Sequence, residues 1–149
     1  SRRQRRDNGG PAIKGQILIT PALDAKDESA SLTENAEGFV LTRAMMDWFW
    51  NHYVGDANRD DPRISPLRAT NLANLPPTFI VTAEFDPLRD QGRAYADALN
   101  AAGTKASNIT YPGQMHTSFS AVGVILSANK AREEIASQLR NFFDILEPA

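Results

Sequence analysis

The sequence predicts an α/β fold, with parallel strands and flanking helices, and three observations predict it. The first is a crossover. Thr78-Phe79-Ile80-Val81-Thr82-Ala83 is β-rich, a helical pattern opened by Asp86-Pro87 carries Leu88, Tyr95, Leu99 and Ala102 on one face before Gly103, and Ser107 to Tyr111 is strand-like again. Strand, helix and strand of these lengths make the two strands parallel and lay the helix across one face. The second is Gly15-Gln16-Ile17-Leu18-Ile19-Thr20, a short apolar run ended by Pro21, which fits a strand buried on both faces of a parallel sheet. The third is the last segment, about Ser127 to Leu146. It carries Ala131, Ile135, Leu139, Phe142 and Leu146 at helical spacing with Glu133 and Glu134 outward, and closes the sheet's other flank or edge.

The remaining elements follow in chain order. Ser1 to Asp7 reads as the last turns of a helix, because arginines suit a helix carboxyl end and Asn8-Gly9-Gly10-Pro11 is a stop signal. Arg2, Arg3, Arg5 and Arg6 lack interleaved aromatics, so a solvated face explains them better than a nucleic-acid arm. Asp24 to Gly38 is polar and acidic, a loop. Thr42 can cap a helix reaching Val54, with Met46, Phe49, Trp50 and Tyr53 on one face, Met45 and Trp48 widening the stripe, and Gly55 closing it. Such a stripe serves as core or as a lid over an apolar ligand. Asp56 to Pro62 is a turn-rich loop. Its Asp56-x-Asn58-x-Asp60 start suggests calcium, but the sixth and twelfth places hold Asp61 and Leu67 where a calcium loop needs Gly and Glu.

Composition excludes several classes. The 149 residues are 42% hydrophobic, enough for the core of one domain, and a net charge of -2 gives no broad attraction to nucleic acid or an anionic membrane. With no cysteine there is neither a disulfide nor a thiolate zinc site, and cytoplasm is the expected location. Apolar runs such as Ile17 to Ile19 and Phe79 to Val81 fall far short of the roughly 20 residues that cross a bilayer. The basic amino terminus leads into no apolar segment of the signal-peptide kind.

In a parallel sheet, the loops after successive strands open on one edge, and chemistry belongs there. Asp86 follows one strand and His116 the next, within Pro112-Gly113-Gln114-Met115-His116. If those strands are neighbours, a carboxylate can bind one imidazole nitrogen and leave the other as a general base toward a serine hydroxyl. Each residue also has a plainer reading, Asp86 as the N-cap of a helix and His116 as a loop histidine. His52, in the aromatic helix, reads as a surface or lid residue.

Leu75-Pro76-Pro77-Thr78-Phe79-Ile80-Val81-Thr82-Ala83-Glu84-Phe85-Asp86-Pro87-Leu88-Arg89-Asp90 closely resembles the acid-residue segment of bacterial hormone-sensitive-lipase-like esterases of the α/β-hydrolase fold. Tyr111-Pro112-Gly113-Gln114-Met115-His116 is similar to that family's histidine loop, Gly15 to Asp24 to its strand after the nucleophile helix, and Phe39 to Tyr53 to its cap insertion. The resemblance covers the whole chain and only the later half of the family's domain. It implies a partial α/β-hydrolase fold over 1–149 with 25–60 as the cap segment. It also implies Asp86 as triad acid, with Asp90 as rival one turn on, and His116 as triad base. Phe49, Trp50, Met115 and Thr117 are the implied substrate contacts.

Two departures stand out. Thr117 and Ser118 follow the histidine where the family usually has glycine, and the sequence holds neither a His-Gly-Gly-Gly stretch nor a Gly-x-Ser-x-Gly nucleophile elbow. Ser65, Ser118 and Ser120 lack the flanking glycines of a tight strand-to-helix turn. The reading is therefore a carboxylic ester hydrolase segment with a small-molecule ester as substrate, no metal or organic cofactor, no nucleic acid and no membrane span. Its implied partners are the missing amino-terminal half of the domain and, since related esterases often pair, a second copy in a homodimer. The alternative from another class is an inactive fragment or interaction module that recruits a partner through an unpaired sheet edge.

Overall fold

The computed structural model describes Gly9, residues 13–121 and residues 123–144, the last three of these by backbone alone. The helix end read at Ser1 to Asp7, and the Phe142 and Leu146 side chains of the final stripe, lie outside the described residues.

A three-stranded sheet forms the centre, in the order β1 (Gln16–Ile19), β2 (Thr78–Phe85), β3 (Ala106–Met115), with both neighbouring pairs parallel. Leu18 pairs with Ile80, and Ile80 with Asn108. Strand β2 lies between the other two and is buried from Thr78 to Ala83, which is why its sequence runs apolar and β-branched without alternating. Ile80 faces α3 (Arg89–Ala101) and packs with Leu23, Leu72, Tyr95, Ala96 and Leu99. Phe79, Val81 and Ala83 face the other way, onto Tyr111, Phe119, Ala128 and Ala131, the last two from α4 (Ala128–Asp144). Burying each large apolar chain of these two clusters contributes about 1.5–3 kcal/mol. The α3 crossover is thus the expected one, and α4 covers the opposite flank.

Residues 25–60 hold α1 (Ala30–Glu34) and α2 (Arg43–Val54). Thr42 caps α2, its Oγ1 accepting from the Met45 amide at 3.2 Å, and Gly55 closes it at a positive φ of 53°. Met46 is buried with Leu41 and Leu88, and Trp50 packs against them. Phe49, Trp48 and Tyr53 remain exposed, Tyr53 at 71%. Asp60 pairs with Lys26 at 3.0 Å and Arg68 at 3.1 Å, and Asp61 pairs with Arg63, so the acidic loop is knitted by cations of the chain itself. Among the described residues no helix is long and apolar enough to cross a membrane.

Three expectations are corrected. Residues 24–38 are not all loop, because α1 forms within them, held by tertiary bonds described below. Strand β1 is half-buried, not enclosed on both faces, with Ile19 45% exposed, because among the described residues β2 is its one partner and its end stands clear. Strand β3 does not stop at Pro112-Gly113. Ala83 pairs with Tyr111 and Phe85 with Met115, so the longer stretch of β3 bulges between them. A bulge tolerates both proline and glycine. Gly113 takes a φ of 71°, and its amide donates to Glu84 Oε2 at 2.7 Å, which satisfies the group that the bulge takes out of the ladder.

Candidate active site

Because β2 and β3 are adjoining and parallel, the residues that follow them emerge on the same edge. Asp86 comes directly after β2 and His116 directly after β3, and Asp86 Oδ2 lies 2.9 Å from His116 Nδ1. Asp86 is fully buried, and its other oxygen accepts from the Leu88 amide at 2.9 Å. Asp86 therefore closes a tight turn through Pro87 instead of capping the helix. Helix α3 begins only at Arg89, with Leu88 at its N-cap. The turn-closing bond and the pairing with His116 thus fall on different oxygens of one carboxylate.

An ionised carboxylate only accepts, so Nδ1 of His116 carries the proton and donates, and Nε2 keeps a free lone pair. The His116 side chain is 26% exposed, which leaves the ring reachable. The third strand end joins them, Thr20 Oγ1 donating to the His116 carbonyl at 3.5 Å. His116 lines a groove of about 590 Å³ whose other walls include Leu41, Met46, Phe49, Trp50, Tyr53 and Leu88. Of the implied substrate contacts, Phe49 and Trp50 line this groove. Met115 and Thr117 flank His116 in sequence but are not among the lining residues, Met115 ending β3 and Thr117 standing exposed. Leu88, Leu41 and Met46 line the groove without having been singled out for it. Met46 belongs to the aromatic stripe and Leu88 to the face of the crossover helix, both of which read equally as core, and Leu41 carries no signal of its own.

The rivals are occupied elsewhere. Asp90 Oδ2 accepts from the Ser31 amide at 2.9 Å, and Oδ1 accepts from Arg89 Nε at 3.0 Å. Burial works against its charge, yet these hydrogen bonds and the nearby Arg89 and Arg93 cations hold its carboxyl below the usual value. Ser65 is buried, its hydroxyl donating to the Arg59 carbonyl and accepting from the Ala25 amide. Ser118 is buried too, with Oγ accepting from the Met115 amide at 2.9 Å. Ser120 is exposed at the end of a short 3-10 turn. His52 donates from Nδ1 to the Trp48 carbonyl at 2.8 Å, and its ring lies 4.0 Å from that of Trp48 on the exposed side of α2.

A buried carboxylate and a reachable imidazole, borne on successive parallel strands, stand in the chain order in which α/β-hydrolases place an acid and a base. Residues 2–120 match the family model described as alpha/beta hydrolase fold, and the chain belongs to that family. It is 42% identical over 121 residues to the carboxylic ester hydrolase LipN of Mycobacterium tuberculosis, a match covering 80% of this chain and 32% of that protein. It is 37% identical over 102 residues to an ethyl acetate hydrolase of Pseudomonas putida, covering 68% and 32%. Among solved structures, an ester hydrolase from the metagenome of Lake Arreo, in complex with a bipyridine phosphonate derivative, superposes with a TM-score of 0.89 at 44% identity, covering 96% of this chain and 46% of that one. The chain thus spans about a third of the length of these curated relatives.

Proposed function

We propose that this chain carries the acid and the base of a serine carboxylesterase, Asp86 orienting His116, with the nucleophilic serine and the oxyanion donors supplied by the part of the hydrolase domain that these 149 residues do not contain. The observation that carries the reading is the 2.9 Å contact between a fully buried carboxylate and an imidazole facing an apolar groove.

In this reading His116 Nε2 takes the proton of an external serine hydroxyl as that oxygen attacks the ester carbonyl. The imidazolium that forms is stabilised by Asp86, and its proton passes to the departing alkoxide. Water then repeats the sequence on the acyl-enzyme, with His116 again as base. Phe49 and Trp50 supply apolar surface for the ester, and 25–60 serves as the cap. The balance of apolar wall over charge favours an uncharged ester of short or medium chain. Cytoplasm is the compartment we assign, on the absence of cysteine.

The test is complementation. The chain alone should not hydrolyse p-nitrophenyl butyrate. Joined to the amino-terminal portion of a relative bearing the serine elbow, it should do so, and His116→Ala should abolish the gain. A folded joined protein with no activity, or with activity indifferent to His116→Ala, refutes the assignment and leaves an interaction module of the same fold.

A further inference from the structure

The turn that presents Asp86 is gripped along its length by the segment in front of the cap helix. Ser31 is fully buried, and its hydroxyl donates to the Pro87 carbonyl at 2.8 Å while accepting from the Asp90 amide at 3.1 Å. Asp90 returns the bond, Oδ2 accepting from the Ser31 amide at 2.9 Å. Asn35, also buried, donates from Nδ2 to the carbonyl of Asp86 itself at 3.3 Å. On the neighbouring positions Phe39 stacks on Phe85 with centroids 4.8 Å apart, and Leu88 packs under Leu41 and Met46. Gln91, buried, accepts from the Leu23 and Asp24 amides at 2.7 and 3.0 Å. Positions 85–88, 90 and 91 are thus each tied to the 23–46 stretch.

We propose that Ser31 and Asn35 are positioning residues for the acid, locking the Asp86 turn to the cap so that the state of the cap sets the aim of the carboxylate at His116. This rests on the catalytic reading of the pair. Neither residue lines the groove or hydrogen-bonds the imidazole. They act through the backbone carbonyls of Asp86 and Pro87, whose rotation would swing Oδ2 away from Nδ1. A hydrogen bond weakens steeply as its angle closes, so small rotations suffice. The same lock explains the fate of Asp90. Its carboxylate pulls α1 onto the acid turn and is not available to a second imidazole. Helix α2 follows α1 in the chain across residues 35–42 and lines the groove with Phe49 and Trp50, so the helix a ligand would sit on is joined directly to the segment that carries the lock.

Two readouts test this. In the 149-residue chain, the downfield proton resonance of the His116 Nδ1–H held by Asp86 should be sharp, and Ser31→Ala or Asn35→Ala should broaden it or shift it upfield while far-ultraviolet circular dichroism stays unchanged. In the joined enzyme of the complementation test, the same substitutions should lower kcat about tenfold with KM within about twofold, the mark of an interaction that matters in the transition state. Asn35→Ala serves if Ser31→Ala does not fold. A folded variant with an unchanged resonance and unchanged kcat overturns the proposal. The resonance reports the lock independently of turnover, so activity indifferent to His116→Ala sinks the catalytic reading by a separate measurement.

Discussion

Gly92 sits on the face of α3 that meets the sheet, and replacing it with alanine should destabilise the protein even though alanine is the better helix former. A Cβ at this position would stand 2.4 Å from Thr82 Cγ2 and 3.3 Å from Ile80 Cγ2. The first distance is about 1 Å short of the roughly 3.5–4.0 Å of an ordinary carbon contact. The methyl cannot swing aside freely. Thr82 Oγ1 is bonded to Thr110 Oγ1 at 2.8 Å and accepts from Asn108 Nδ2 at 3.3 Å, and a new rotamer would break both inside the core. The helix must therefore lift. Alanine gains about 0.5–1 kcal/mol over glycine in a helix interior. Overpacking of this kind costs about 1–3 kcal/mol. With the 2.4 Å approach at the upper end of that range, the net loss of about 2–2.5 kcal/mol should lower the urea midpoint by about 1–1.2 M at a slope of about 2 kcal/mol/M. Adding Thr82→Ser removes the methyl and keeps the hydroxyl, so the double variant should recover most of that loss relative to Thr82→Ser alone. Urea titration followed by circular dichroism reads all four proteins. A Gly92→Ala midpoint at or above that of the wild type would refute the close approach.

In the joined enzyme, Asp86→Asn should cost kcat about 10⁴-fold by holding His116 in the wrong tautomer, whereas Ser118→Ala should stay within about tenfold, and a Ser118→Ala loss as deep as that of His116→Ala would make Ser118 the nucleophile. Asp90 adds a pH dependence to stability. Its folded carboxyl lies below the ordinary value of 3.8, so the unfolded chain binds the proton first as pH falls. The stabilisation is complete above that ordinary value and is lost as pH drops through the folded one. The stability gap between wild type and Asp90→Asn should therefore be constant from neutral pH down to about pH 5 and narrow below about pH 4, in urea titrations at each pH. A gap that widens in acid would show that Asp90 is not held by Arg89 and the Ser31 amide.

The parts of this fold that the sequence announced are those with local causes. Thr78 to Ala83 reads as a strand because β-branched and aromatic residues fill Thr78 to Thr82, and α3 is bounded by Pro87 and Gly103, which act on the backbone directly. The misread parts have distant causes. Pro112-Gly113 ordinarily ends a strand, and here the strand continues because Glu84, on the neighbouring strand, accepts the bulged amide. Helix α1 is five residues with no apolar period, and its anchors lie 56 and 59 residues away in sequence, at Pro87 and Asp90. Of the site, the Asp86 and His116 pair was legible because each follows a strand. The lock around it was not, because Ser31 and Asn35 look like any polar residues of a loop.

The burial of Asp86 is the feature that a purely structural reading leaves unexplained. A helix N-cap does its work at the surface, where water solvates the carboxylate at no cost, and enclosing the charge adds a penalty of several kcal/mol unless partners replace the water. Here the replacement is one amide, from Leu88, and one imidazole. An arginine or a second amide would satisfy the carboxylate better, and Asp90, one turn on, shows the chain doing this with Arg89 and Ser31. The two aspartates share a turn and differ in what they are given. Asp90 receives the partners that favour stability, while Asp86 faces a ring whose other nitrogen is free to exchange a proton. Spending stability on that arrangement is what the proposed catalytic role of the pair requires, and the proposed lock by Ser31 and Asn35 would hold the acid turn in it.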